Sequence, residues 1–448
     1  MGRALLLLVT GLFIVYGIVF KSITEREQLT GVPERSGDYL LDEQGRNVTS
    51  SLVDLAVESI EKNQNTNKDW SHGWGGSFEY QNFLGADSAY LYGFDQSMQS
   101  SSDYPGNTNV GNAGGWDEYR VLLYGTSTMS GRTTYTEVLM QQDSFSKYSY
   151  FTDNEPNYIW FMSKDTLTGP VHTNGTFHIA GDPTFNGYVS SPNDWEGYCD
   201  GDASCTDNPN FNAGSNFSAA NKELPDKNGT QTAKLKNKAQ GAGLYFDKPI
   251  DVEMESNGNI KILEKVDAYT TIEHNISKAD YNEGVIGSSK DVNIKGTLDG
   301  RLSVYSEQNV EIMGDINYKT DPRVDSTSTD LLGIISNQSV KVDRWAHTAN
   351  GSKDLTIQAS VMTLQGSFWV EKYNEGSPRG EIHLLGGLIM RQRGPVGTFS
   401  YGSGIQSGYS KNYKYDTRLL ADIPPFFPRE SPFSIVYWRD RSDFFDKN

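Results

Sequence analysis

Apolar and polar positions alternate through most of this chain, and the alternation breaks at glycines and prolines. The stretch Gly169–Ser191 reads GPVHTNGTFHIAGDPTFNGYVSS, with short apolar alternations at Val171, at Phe177 and Ile179, at Phe185 and at Val189. Glycine opens backbone angles other residues avoid and proline forbids helix, so the stretch predicts short strands broken by tight turns. The unit Phe177-x-Ile179-x-Gly181 returns as Val292-x-Ile294-x-Gly296 and as Val310-x-Ile312-x-Gly314. Val292 and Val310, Ile294 and Ile312, Gly296 and Gly314, Leu298 and Ile316 each stand eighteen residues apart. Similar runs follow at Ile334-Ile335, Val340-x-Val342, Leu355-x-Ile357-x-Ala359-x-Val361 and Ile382-x-Leu384-x-Gly386-x-Leu388. Inward residues of one strand stacking on those of the next give a continuous apolar column. The expected body, residues 161–428, is therefore a right-handed parallel β-helix-like solenoid, with an antiparallel β-sandwich as the alternative. Residues 192–245, rich in Asn, Asp, Lys and Gly, read as a polar insertion. Prolines in Pro424-Pro-Phe-Phe-Pro428 bar ladder bonding, so this segment is expected to cap the end of the stack, with 429–448 as a tail.

Before the alternation begins, three other patterns appear. Ala4–Phe20 is a run of seventeen uncharged, mostly apolar residues between Arg3 and Lys21. As a helix it spans about 26 Å, enough for a bilayer core, so residues 1–21 predict a single-pass anchor. Within 22–65, Val48, Leu52, Leu55, Ala56, Ser59 and Ile60 recur at helical spacing and predict a short amphipathic helix to Asn63, with Thr49–Ser51 as N-caps. Residues 66–160 form an aromatic-rich β domain, in which Glu118–Tyr124 and Thr133–Met140 read as an antiparallel pair joined by the loop Gly125–Arg132. Its rings, among them Trp70, Trp74, Tyr90, Trp116 and Trp160, are expected to pack across strands. Phe151–Pro156 reads as a turn leading into a strand at Tyr158–Phe161.

Composition narrows the function. A net charge of −18 argues against partners that are themselves polyanionic, nucleic acid and anionic membrane surfaces among them. Cys199 and Cys205 are the two cysteines, and their spacing in the loop CDGDASC suits a small disulfide ring in an oxidising compartment. Asp200, Asp202 and Asp207 alternate like a loose calcium loop without the glycine and terminal glutamate of an EF-hand. Asp291, Asp299, Glu307, Glu311 and Asp315 lie beside turns and show no facing acid pair of the kind glycoside hydrolysis needs. His172 and His178 flank a turn without a third metal ligand. No nucleophile elbow or phosphate loop is present, so the expectation is a protein that is not an enzyme and carries no cofactor.

Several blocks carry a resemblance: SFSKYSYFTDNE (Ser144–Glu155), GPVHTNGTFHIAGDPTFNG (Gly169–Gly187), GTLDGRLSVYSEQNVEIMGDINY (Gly296–Tyr318), PRGEIHLLGGLIMRQRGPVGTF (Pro378–Phe399) and GYSKNYKYDTRLL with PPFFP (Gly408–Pro428). They resemble a bacterial envelope family described as similar to PilX-type, type IV pilus-assembly proteins. The resemblance implies a non-catalytic, minor-pilin-like structural or assembly protein. It would be anchored in the cytoplasmic membrane with its bulk periplasmic or extracellular, and would have protein partners in a pilus or secretion assembly. The chain departs from prepilins in lacking a Gly-Phe-Thr-Leu-x-Glu junction, its first glutamate being Glu25. A carbohydrate-binding or carbohydrate-cleaving β-helix, or an adhesin, is the alternative reading.

Overall fold

A computed structural model describes residues 34–63, 76–80, 83–94, 120–163, 165–199, 206–400 and 404–441. The apolar run 4–20 lies outside them, as do Trp70, Trp74, Trp116, Asp200, Asp202 and Cys205. No described helix is long and apolar enough to cross a membrane. The protein is mainly β and divides into two compact units, one ending at Gln142 and regaining the chain from Pro432, the other running Asp143–Ser431.

The first unit sets one helix against an antiparallel sheet. Helix α1, Glu34–Asn63, is longer than the stripe predicts. Thr49 and Ser51 are interior residues rather than caps: their hydroxyls donate back to the carbonyls of Arg46 and Asn47, which satisfies them inside a helix. Of the stripe, Val48, Leu52, Ala56 and Ile60 are buried; Ala56 and Ile60, together with Val53 and Val57, pack on Leu91, Leu123, Val138, Met140 and Phe433. The sheet holds β1 (Gly76–Tyr80), β2 (Ser88–Phe94), β3 (Arg120–Met129) and β4 (Arg132–Ser144), with the late strand Arg429–Arg441 beside β4. β3 and β4 are the expected antiparallel pair, but the eight-residue loop is absent. Pairing continues to Met129 opposite Arg132, and Ser130–Gly131, both at positive φ, make a two-residue turn that suits the strand twist.

The second unit is built of parallel ladders. Ten short strands come first: β5 (Tyr150–Asn154), β6 (Phe161–Met162), β7 (Thr166–Leu167), β8 (Val171–Thr173), β9 (His178–Ala180), β10 (Thr184–Phe185), β11 (Val189–Ser190), β12 (Glu196–Gly197), β13 (Asn210–Phe211) and β14 (Ser215–Asn216). Each pairs in parallel with the strand three places further on: β5–β8–β11–β14, β6–β9–β12 and β7–β10–β13. Tyr150–Asn154 is thus strand where a turn was expected, and the following strand shrinks to two residues. Within 192–245, read from sequence as an interruption, β12 to β14 extend all three ladders.

The chain then crosses through α2 (Thr230–Gly241) and resumes. Strands β15 (Tyr245–Phe246), β19 (Gly284–Ser288), β21 (Arg301–Ser306), β23 (Leu331–Ser336), β25 (Leu355–Thr363) and β27 (Pro378–Gln392) form one parallel ladder. Strands β16 (Ile250–Met254), β20 (Val292–Leu298), β22 (Val310–Tyr318), β24 (Val340–Val342) and β26 (Phe368–Val370) form another. Antiparallel strands at Ile260–Lys265 (β17) and Thr271–Ile276 (β18) flank β16, while Gly397–Ser400 (β28) pairs with Gly404–Lys414 (β29). The eighteen-residue spacing is real for Val292 opposite Val310 and Ile294 opposite Ile312, but a bulge then shifts the register so that Gly296 faces Ile316 rather than Gly314.

The two runs meet. β27 pairs in parallel with β5, Leu388 opposite Tyr150 and Ile389 opposite Phe151, so a late strand of the second run lies beside the first strand of the first. Across this seam one buried column runs Ile286, Val304, Ile334, Val361, Leu388, Tyr150, Val171, Val189 in unbroken register. The opposite face of the same ladder is also apolar. Tyr305, Ile335, Met362, Ile389 and Phe151 are covered by Leu224, by Leu235 and Ala239 of α2, and by Phe427. Pro424–Pro428 therefore lies on a ladder face instead of capping an end: Gly333 sits against Phe427 and Pro424, and the Ser303 hydroxyl donates to the Pro425 carbonyl.

Candidate functional site

Charges buried in an apolar body need partners. The seam concentrates them. Arg393 follows β27 and Glu155 follows β5, so the parallel pairing delivers both to one place. Their side chains are 4% and 0% exposed, with Nη1 3.2 Å from Glu155 Oε2. Arg393 also donates to the Ile159 and Trp160 carbonyls, and its guanidinium lies 3.8 Å from the centre of the Phe161 ring. Glu155 accepts from the Tyr150 and Thr152 hydroxyls on its other oxygen. Beside this pair, Lys411 of β29 holds Asp165, at the start of β7, at 2.8 Å. Burial pulls the Lys411 ammonium below its usual range, against the pull of Asp165. Tyr150, Phe161, Leu167, Phe368, Leu388, Met390 and Tyr413 line a cavity that both Arg393 and Lys411 enter.

A second cluster lies on the outer face of the same ladder. Glu430 joins Lys147 and Lys222, both at 2.8 Å, and accepts from the Tyr148 hydroxyl. Next to it His172 stacks on Phe151 at 5.3 Å. Its Nε2 donates to Asn174 Oδ1, and Nδ1 accepts from the Ser190 hydroxyl. Burial holds the imidazole neutral, its pKa lowered to about 4. The folded state thus refuses a proton that the unfolded chain accepts near 6.5. Stability is expected to fall as pH drops from about 6.5 to about 4, with no contribution above that window and a constant penalty below it. Comparing thermal melts of wild type and His172→Gln across these pH values checks this: the variant should show the shallower acid loss, and parallel curves would contradict it.

Most of the described groups singled out from sequence are tied to near neighbours in the fold. Asp207 accepts from the backbone N–H groups of Gly181 and Cys199 at 2.6 and 2.7 Å, which makes it a turn acceptor. Asp291 accepts from Asn309, Asp315 from the Thr356 N–H, and Glu307 from Lys236 and Tyr245. Asp299 pairs with Lys278 and Lys319, which hold its carboxyl below the usual range. Glu311 pairs with Lys341 and comes together with Asp343 and Glu371, ligand atoms within 4.8 Å of one another. His172 and His178 fall on separate ladders, His178 lying 3.6 Å from Glu196 and 5.3 Å from the Trp160 ring. The sequence reading passed over Arg393, Lys411, Glu155 and Asp165. Only Arg393 carries a local signal, charge placed just after an otherwise apolar run in LLGGLIMRQRGPVG.

Residues 118–199 match the model of a domain of unknown function, DUF4900. That segment carries β3 to β12 and with them Glu155, Asp165 and His172. No curated protein matches the chain. Among solved structures, the competence-associated pilin ComZ of Thermus thermophilus is similar over 90% of this chain and 97% of that one, at 10% identity and a TM-score of 0.31. A superposition that loose says nothing of function.

Proposed function

We propose that this chain is a structural or assembly protein of the bacterial cell envelope, minor-pilin-like, pilus- or secretion-associated and without a catalytic centre. Residues 4–20 anchor it in the cytoplasmic membrane, and the rest stands in the periplasm or outside the cell. Its ladders are successive faces of a right-handed parallel β-helix-like solenoid, and Cys199 and Cys205 close a disulfide ring. The observation that carries this reading is the use made of the polar groups. The described candidate carboxylates and His172 are tied to neighbouring strands and turns, and the most buried of the described ion pairs, Arg393 with Glu155, braces the seam. The apolar run ahead of α1 and the envelope-family resemblance point the same way.

Expression of the tagged full chain in a pilus-forming bacterium tests the reading. The protein should sediment with the cytoplasmic membrane, resist alkaline extraction, and co-purify with pilus or secretion components. Recovery as a freely soluble cytoplasmic protein would overturn it. A glycan-binding reading has one observation in its favour: Tyr158 and Tyr198 are 68% and 53% exposed, with Trp160 edge-on to Tyr198 at 5.2 Å. Binding to a polysaccharide that is lost in Trp160→Ala with Tyr198→Ala would shift the balance to it.

A further inference from the structure

Beside the seam between β27 and β5, Lys411 of β29 meets Asp165, which precedes β7, from 246 residues away in sequence. Lys411 Nζ lies 2.8 Å from Asp165 Oδ2, with the two side chains 23% and 13% exposed. The cavity around them is walled by Phe161, Leu167, Phe368, Leu388 and Met390. An ion pair in such surroundings has lost most of its hydration, which narrows the gap to the uncharged amine and acid. The same Oδ2 accepts from the backbone N–H of Met162 at 3.1 Å, a donor that polarises the carboxyl carbon and would steady negative charge on that oxygen. Amine and carboxyl are thus held in contact by strands on both sides, the arrangement that gives intramolecular reactions their high effective molarity.

We propose that Lys411 and Asp165 are joined by an intramolecular isopeptide bond. Lys411 Nζ, as the neutral amine, adds to Asp165 Cγ; the adduct expels Oδ1, and Oδ2 remains as the amide oxygen on the Met162 N–H. Of the three ammonium protons, one stays on the amide nitrogen and two leave with Oδ1 as water, so nothing is oxidised or reduced. Burial, which depresses the Lys411 pKa, lowers the cost of reaching the neutral nucleophile. The bond locks the seam covalently and does not depend on the envelope reading.

The test is a peptide map of the purified full chain, reduced, alkylated and digested with trypsin under denaturing conditions. The expected product is a branched peptide containing Asp165 and Lys411, lighter by one water than its two linear components and uncleaved after Lys411. In Lys411→Arg, which keeps the ion pair but cannot form the amide, the Asp165 peptide should return linear at full mass. Wild-type Asp165 and Lys411 recovered in linear peptides, or a one-water deficit that maps elsewhere, would overturn the proposal.

Discussion

Gly386→Ala should lower the melting temperature of the second unit by on the order of 10 °C or abolish its folding. Gly386 faces Ala359 across the β25–β27 ladder and holds φ at +145°, a region closed to residues with a side chain. A Cβ there would stand 2.0 Å from the Ala359 carbonyl oxygen, and that oxygen is backbone that cannot move without parting two strands buried on both faces. Gly376→Ala is the matched control, since φ is +76° and nothing lies within 4 Å of the added carbon. It should cost only the left-handed backbone penalty, about 1–2 kcal/mol. Thermal unfolding followed by far-ultraviolet circular dichroism separates the two. Equal losses would show that the ladder does not depend on close approach at Gly386.

Arg393→Met is the second large effect. It leaves Glu155 buried with two hydroxyl donors and without its direct ion-pair partner, a situation that costs about 3–5 kcal/mol. Adding Glu155→Gln removes the stranded charge, so the double variant should recover part of the loss, which identifies the pair as the cause. If the single and double variants melt alike, the ion pair contributes nothing beyond packing.

Much of the stack can be read from local alternation because an inward column asks only for an apolar residue at every second place. Val292, Ile294, Val310 and Ile312 obey that rule and meet in register. The reading fails one step later at Gly296, where a Cβ would lie 2.1 Å from the Met254 carbonyl oxygen. There the partner strand bulges and the spacing of glycines stops reporting the register. From sequence Phe151–Pro156 reads as a turn, whereas the strand character of Tyr150–Asn154 comes from Leu388 and Ile389, over two hundred residues away. The same distance hides Arg393 with Glu155 and Lys411 with Asp165. None of them finds its partner in its own neighbourhood, and each becomes half of a pair only when the seam is built. Thr49 and Ser51 misled for a different reason: a hydroxyl that can cap a helix can also bond back into one.

The seam also dictates a timetable. Along the chain β5 comes among the first strands of its unit, yet the partner for one of its edges, β27, follows only after more than two hundred further residues. Until then Tyr150–Asn154 presents an open strand edge, a template for pairing with any neighbouring chain. Contacts of such long sequence separation are also slow to form, because the loop entropy must be lost before any pairing is gained. A chain that folds from its first rungs onward therefore passes through an interval in which they stand with one side bare.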